Sequence, residues 1–209
     1  MTSLAARVLL GWAAFVLLGW GLGELWTSVG PSEVQLMREV ARERSSGLVS
    51  AARVITWAGS IWLLGPLALL ACILLLRAGL REGALIVALG LLGGALMADV
   101  IKLLVTRPRP PVEHLQAVSG YSFPSGHATQ AAAFWVALLL ALRPLVSGRL
   151  VPVLLTCACL LIVAAVCVSR VVLGVHYPSD VVAGALLGGG WAVYLCRCVR
   201  ETAPRRHAR

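Results

Sequence analysis

The chain has 209 residues, of which 59% are hydrophobic and only 13% charged, and its formal net charge is +9. The length suits one domain, and the composition excludes an ordinary soluble protein in favour of an integral membrane chain. Nucleic-acid binding would also use a basic surface, but the short loops offer no basic domain or aromatic platform for it.

A helix crosses the bilayer core with about 20 apolar residues. Six stretches meet that need, roughly Leu4 to Trp26, Val54 to Leu76, Gly83 to Val105, His127 to Leu145, Leu150 to Val168 and Ser179 to Val199. The expected fold is therefore all-α, one six-helix membrane domain over residues 1–209 with a short basic tail at about 200–209. The first stretch pairs Arg7 with an apolar run in the manner of a signal peptide, yet it runs too long and has no small-x-small cleavage pattern before Trp26, so it reads as uncleaved.

Between the first two spans, Ser32-Glu33-Val34-Gln35 fits a capping box, and Val34, Met37, Val40 and Ala41 recur at helical spacing. The pattern predicts an amphipathic helix over residues 31–45, lying on the outer membrane surface. Such a helix either connects two spans or guides lipid toward a site. Gly90, Gly93 and Gly94 in the third span, and Gly184, Gly188, Gly189 and Gly190 in the sixth, predict close helix packing. No strand precedes them, as a nucleotide-binding loop would require. The cysteines, Cys72, Cys157, Cys159, Cys167, Cys196 and Cys198, lie in or at the ends of the spans and read as packing residues.

Six spans put both chain ends on one side. That side collects most of the 17 arginines, including Arg77, Arg81, Arg143, Arg149, Arg197 and Arg200, while the opposite side balances its cations with Glu33, Glu39, Glu43 and Glu113. By the positive-inside rule the termini are cytoplasmic and the other face is periplasmic or extracellular.

Three polar stretches reach that outer face: "KLLVTRPRP" with Lys102 and Arg109, "FPSGH" at the start of the fourth span, and "SRVVLGVHYPSD" between the fifth and sixth. Lys102, Arg109 and Arg170 supply positive charge, and arginine can make two parallel hydrogen bonds to a phosphate. Ser125 adds a hydroxyl, and the amides around Gly126 open a helix, where unpaired N–H groups favour anions. His176 precedes Asp180 by four residues, so the carboxylate can hold one ring nitrogen and aim the other at phosphorus. His127, beside the cradle, can protonate a leaving oxygen.

The set Lys102-x6-Arg109-Pro110, Pro124-Ser125-Gly126-His127 and Ser169-Arg170-x5-His176-x3-Asp180 resembles the three-part motif of the type 2 phosphatidic acid phosphatase superfamily. The resemblance implies that Lys102, Arg109, Ser125, Gly126 and Arg170 bind phosphate, that His176 attacks, that Asp180 supports it and that His127 is the acid. It implies a phosphohistidine intermediate, no cofactor and no required metal. The superfamily is similar to vanadium haloperoxidases, which look like larger, soluble enzymes.

The expected activity is hydrolysis of a lipid phosphomonoester or diphosphate at the outer leaflet, and the resemblance to bacterial members implies undecaprenyl diphosphate, phosphatidylglycerol phosphate and phosphatidic acid as leading substrates. A lipid phosphotransferase and a non-catalytic lipid-phosphate binding or transport protein are the alternatives. Asp99, one turn before Lys102, either orients that lysine or serves helix contact. Glu113 and His114 are expected to be solvated.

Overall fold

The structure, a computed structural model, describes residues 3–27 and 30–202. In chain order the helices are α1 (Leu4–Thr27), α2 (Gly30–Arg42), α3 (Ser46–Ile55), α4 (Ile61–Arg77), α5 (Arg81–Val105), α6 (Gly126–Leu142), α7 (Leu150–Val172) and α8 (Pro178–Thr202), and no strand occurs among the described residues. Five of them, α1, α5, α6 with its short extension to Leu145, α7 and α8, are each long and apolar enough to cross a membrane. The candidate sixth span is a bent pair: Ser46–Gly59 and Ile61–Arg77 pass the same test only together, at an angle of 42°.

That bend corrects the second span, which sequence alone starts at Val54. Ser60 takes an extended conformation and caps α4, its hydroxyl accepting the Trp62 N–H. The preceding turn is fixed from outside, because Trp135 Nε1 of α6 donates to the Ala58 carbonyl at 3.0 Å. A Cβ on Gly59 would lie 2.7 Å from the His127 carbonyl oxygen, so only glycine allows this approach. Apolar composition is continuous through the break and gives no sign of it.

The segment expected to be amphipathic is α2 followed by the start of α3. The helix begins at Gly30 rather than at a Ser32 cap, so Ser32 and Glu33 lie inside its first turn. Far from only covering the surface, α2 buries Met37 completely and packs against α7. Most of the basic tail, from residue 203 onward, lies outside the described residues.

At the centre α6 packs on α8, with α5 and α7 on its flanks and α1 laid across α5 and α8. The helices approach closely because small residues face each other: Gly184 and Gly188 of α8 meet the backbone around Ser125 and Thr129. Around this seam Met97, Ile101, Phe123, Leu187, Trp191 and Leu195 form the main apolar cluster. Indole N–H groups that hydrocarbon could not satisfy find carbonyls, Trp12 at Gly93 (2.9 Å) and Trp191 at Leu89 (3.1 Å). The six cysteines are free, and only Cys157 is exposed.

Arg7 at the start of α1 pairs with Glu201 at the end of α8 (2.5 Å), and Tyr194 donates to the Arg7 carbonyl (2.7 Å). The chain ends thus meet at one end of the bundle. The polar stretches collect at the other.

Candidate active site

Four helix ends build the polar cluster. Helix α5 stops at Thr106, which adopts the left-handed conformation (φ 51°) and donates its N–H to the Lys102 carbonyl at 3.0 Å. A β-branched residue rarely does this, and the turn sends Arg107 and Arg109 inward in place of another helical step. Lys102, in the last turn, lies over the first residue of α6: a Cβ on Gly126 would sit 3.0 Å from Nζ. Asp99 pairs with Lys102 at 3.5 Å from an exposed position, which is the orienting contact.

Arg109 ties two loops together. It donates to the carbonyls of Gly120 (3.1 Å), Ser119 (2.9 Å) and Val175 (2.7 Å), and its Nη1 lies 3.4 Å from His176 Nε2. A guanidinium has no lone pair to offer. Nε2 is therefore the acceptor, and the ring proton sits on Nδ1, which faces Asp180 Oδ2 at 3.5 Å.

Ser125 caps α6 in extended geometry, with its amide donating to the Asp180 carbonyl at 3.0 Å. Its hydroxyl is buried without a protein partner, and so is Nε of Arg170. Arg170 occupies the last turn of α7, which runs past the expected end at Val168, and its Nη1 donates to Thr56 Oγ1 (2.8 Å) and Gln116 Oε1 (2.5 Å). Leaving a buried donor unpaired costs about 1–3 kcal/mol. An anion would satisfy both.

His176 belongs to the short connection between α7 and α8, which turns at Gly174 (φ 78°) under the Arg44 guanidinium. The imidazole is 3% exposed. Burial pushes it down to about 4, Asp180 pulls the other way, and Arg170 and Arg109 add to the depression. At neutral pH the ring is uncharged, its Nε2 lone pair turned toward Arg109.

The walls of one polar cavity of about 270 Å³ include Lys102, Arg109, Gly126, His127, Arg170 and His176, with Ser60, Trp62 and Gln130 at its edge. Six of the eight residues expected from the motifs therefore line one space. Ser125 and Asp180 stand behind it, both fully buried. His114 and Glu113 are exposed as expected, with His114 Nε2 3.0 Å from the Pro110 carbonyl and the Glu113 carbonyl accepting from Arg44 at 3.0 Å.

Several participants escaped sequence reasoning. Asp180 Oδ1 accepts from Arg107 Nη1 at 2.6 Å, while Oδ2 accepts the Tyr177 N–H at 2.8 Å and the Ser122 hydroxyl. Arg107 in turn pairs with Glu33 of α2 at 2.7 Å. Burial opposes the Arg107 charge, but Asp180 and Glu33 outweigh it and raise its pKa. Arg107 does stand in the quoted "TRPRP" and Ser122 three residues before Ser125, but nothing in their spacing marks them out.

Residues 83–203 match the PAP2 superfamily, a stretch of more than half the chain. The chain belongs to the PAP2 superfamily. Within it, the chain is 37% identical over 149 residues to the decaprenylphosphoryl-5-phosphoribose phosphatase of Mycobacterium tuberculosis, covering 68% of this chain and 75% of that protein. Similarity to the lipid A 1-phosphatase of Rhizobium etli is 37% over 118 residues, covering 49% of this chain and 46% of the relative. Among solved structures, the PAP2-type phosphatidylglycerolphosphate phosphatase of Bacillus subtilis superposes with a TM-score of 0.79 at 25% identity, covering 94% of this chain and 98% of that one.

Proposed function

We propose that this chain is a membrane lipid phosphatase that removes a terminal phosphate from a lipid-borne headgroup through a phosphohistidine on His176. The observation that carries the reading is the single polar cavity in which Lys102, Arg109 and Arg170 surround the N-terminus of α6 and two imidazoles. Three cations, the amides at Gly126 and the unpaired Ser125 hydroxyl suit the oxygens of a phosphoryl group.

In the first step the His176 Nε2 lone pair attacks phosphorus. The P–N bond forms as the bond to the leaving oxygen breaks, and His127 supplies the proton that oxygen needs. Asp180, on the Nδ1 side, holds the ring and stabilises the cation that develops on it. Arg109 must give up its contact to Nε2 and turn its donors onto the phosphoryl oxygens, where they serve the transition state. In the second step His127 takes a proton from water, the water oxygen bonds to phosphorus, the P–N bond breaks, and inorganic phosphate leaves.

The lipid tail stays in the bilayer while its headgroup enters the cavity at the helix ends. The arginine-rich chain ends favour a cytoplasmic location, which gives the cavity to the outer leaflet. For the substrate, the similarity to decaprenylphosphoryl-5-phosphoribose phosphatases favours a polyprenyl-linked sugar phosphate. Phosphatidylglycerol phosphate, undecaprenyl diphosphate and phosphatidic acid follow. Purified enzyme given these four in mixed micelles should release inorganic phosphate, fastest from the polyprenyl-linked sugar phosphate. Equal rates on all four would remove the substrate assignment, and label passing to an added alcohol in preference to water would make the chain a transferase.

A further inference from the structure

The buried chain of contacts behind His176 does not end at Asp180. Arg107 is 5% exposed and stands at the junction of three elements. Its Nη1 reaches Asp180 Oδ1 (2.6 Å) and Ser179 Oγ (2.7 Å), its Nη2 reaches Glu33 Oε2 (2.7 Å), and its guanidinium carbon lies 4.2 Å from the centre of the Tyr177 ring. Glu33 also accepts the Ser179 N–H (2.8 Å) and hydroxyl (2.7 Å), so it sits on the first turn of α8, where unpaired amides favour a carboxylate.

We propose that Arg107 and Glu33 are positioning residues for catalysis: Arg107 fixes the Asp180 carboxylate that orients His176, and Glu33 of α2 fixes Arg107 and the start of α8. The inference rests on the reading of His176 as the nucleophile. A carboxylate has two oxygens, and here they are divided. Oδ2 serves the His176 side, with Ser122 and the Tyr177 amide holding it, while Oδ1 is held by Arg107. Without Arg107 the carboxylate can rotate, and its full charge falls on the imidazole.

The planar fork matters as much as the charge. One nitrogen faces Asp180 and the other faces Glu33, a two-sided contact that a lysine ammonium cannot reproduce. Helix α2 is thus part of the catalytic apparatus, since its first turn reaches within two side chains of the nucleophile. It need not touch lipid to influence turnover.

The two charges act on His176 with opposite sign. The groups facing the ring are Asp180 from α8, Arg109 and Ser122 from the α5–α6 loop, Arg170 from α7 and His127 from α6, with Lys102 of α5 on the same cavity. None of these changes in the variants below. Removing the Arg107 cation leaves Asp180 free to favour imidazolium, so His176 protonates at higher pH. Removing the Glu33 anion strengthens Arg107's hold on Asp180, so His176 protonates at lower pH.

The test compares wild type with Arg107→Met, Arg107→Lys and Glu33→Gln in detergent, using phosphatidic acid micelles and an aryl phosphate as substrates. The His176 titration is read separately by NMR of the labelled imidazole. Arg107→Lys should lower kcat by about 10- to 100-fold, by analogy with the loss of a carboxylate or other partner that orients a metal-bound histidine, with KM changed by less than about 3-fold. The acid limb of kcat/KM and the NMR titration should both move to higher pH in Arg107→Met and to lower pH in Glu33→Gln. If Arg107 only holds the fold, its variants lose thermal stability while folded enzyme keeps the wild-type pH profile, and the proposal is overturned. Opposite NMR shifts with an unmoved kcat/KM profile would show that both residues act on the imidazole yet overturn His176 as nucleophile, and with it their role in catalysis.

Discussion

Gly184→Ala puts a methyl group where α8 touches the start of α6. The new Cβ would lie 2.7 Å from the Ser125 carbonyl oxygen, 2.9 Å from Thr129 Oγ1 and 3.2 Å from Ala128 Cβ. The nearest of these is backbone and cannot rotate away. Reaching ordinary contact at 3.4 Å requires the two helices to part by about 0.7 Å at Ser125. Ser125 donates its amide to the Asp180 carbonyl one turn away, so the proposed phosphate cradle and the His176–Asp180 pair are displaced from each other.

Overpacking of this size costs about 1–3 kcal/mol of stability. A displacement approaching 1 Å between reacting groups costs roughly 10²-fold in rate, so turnover should fall by about 10- to 100-fold. The control is Gly65→Ala in α4, where the added methyl meets nothing within 4 Å. Phosphate release and thermal unfolding should be measured on both proteins in one detergent. Gly184→Ala with the stability and rate of Gly65→Ala would refute the idea that the α6–α8 backbone contact sets the site.

Arg109→Ala and Arg170→Ala should each weaken inhibition by inorganic phosphate and lower kcat/KM by about 100-fold or more, as for a lost donor at developing charge; unchanged phosphate inhibition would exclude them from the cradle. Asp180→Asn should lower kcat while shifting the acid limb of kcat/KM to lower pH, because Asp180 is the group that raises the His176 pKa. His176 is held near 4 in the folded chain against an ordinary value of 6.5, so its contribution to stability is full above 6.5 and is lost as pH falls through about 4. The melting temperature should therefore drop across that window, and drop less in His176→Gln. In a variant otherwise free of cysteine, Glu113→Cys should react with an impermeant thiol reagent outside intact cells and Ser147→Cys should not; the reverse would place the cavity on the cytoplasmic side.

What the sequence revealed and what it hid have different physical origins. Lys102, Ser125, His127 and Asp180 were legible because each stands at a helix end within a short run of residues that make poor lipid contacts. Helix existence was legible from apolar length alone. Arg107 was not, since its partners Glu33 and Asp180 lie 74 and 73 residues away along the chain. Nor was the link from Arg170 to Thr56, which spans 114 residues. The break before Ser60 stayed hidden because its causes, the Trp135 indole and the His127 carbonyl, belong to a different helix. Arg170 fell in a loop by sequence because apolar character fades before Ser169, whereas α7 continues to Val172 once its polar side chains face the cavity.

The central claim is that His176 carries the phosphoryl group between lipid and water. Wild-type enzyme mixed with a lipid phosphate radiolabelled in its terminal phosphate, and quenched within one turnover, should carry label that is stable in base, labile in acid and confined to the peptide containing His176. His176→Ala should carry none, whereas His127→Ala should still be labelled by an aryl phosphate, whose leaving group needs little help from an acid. Label that persists in His176→Ala, or that maps to any other residue, would contradict the account.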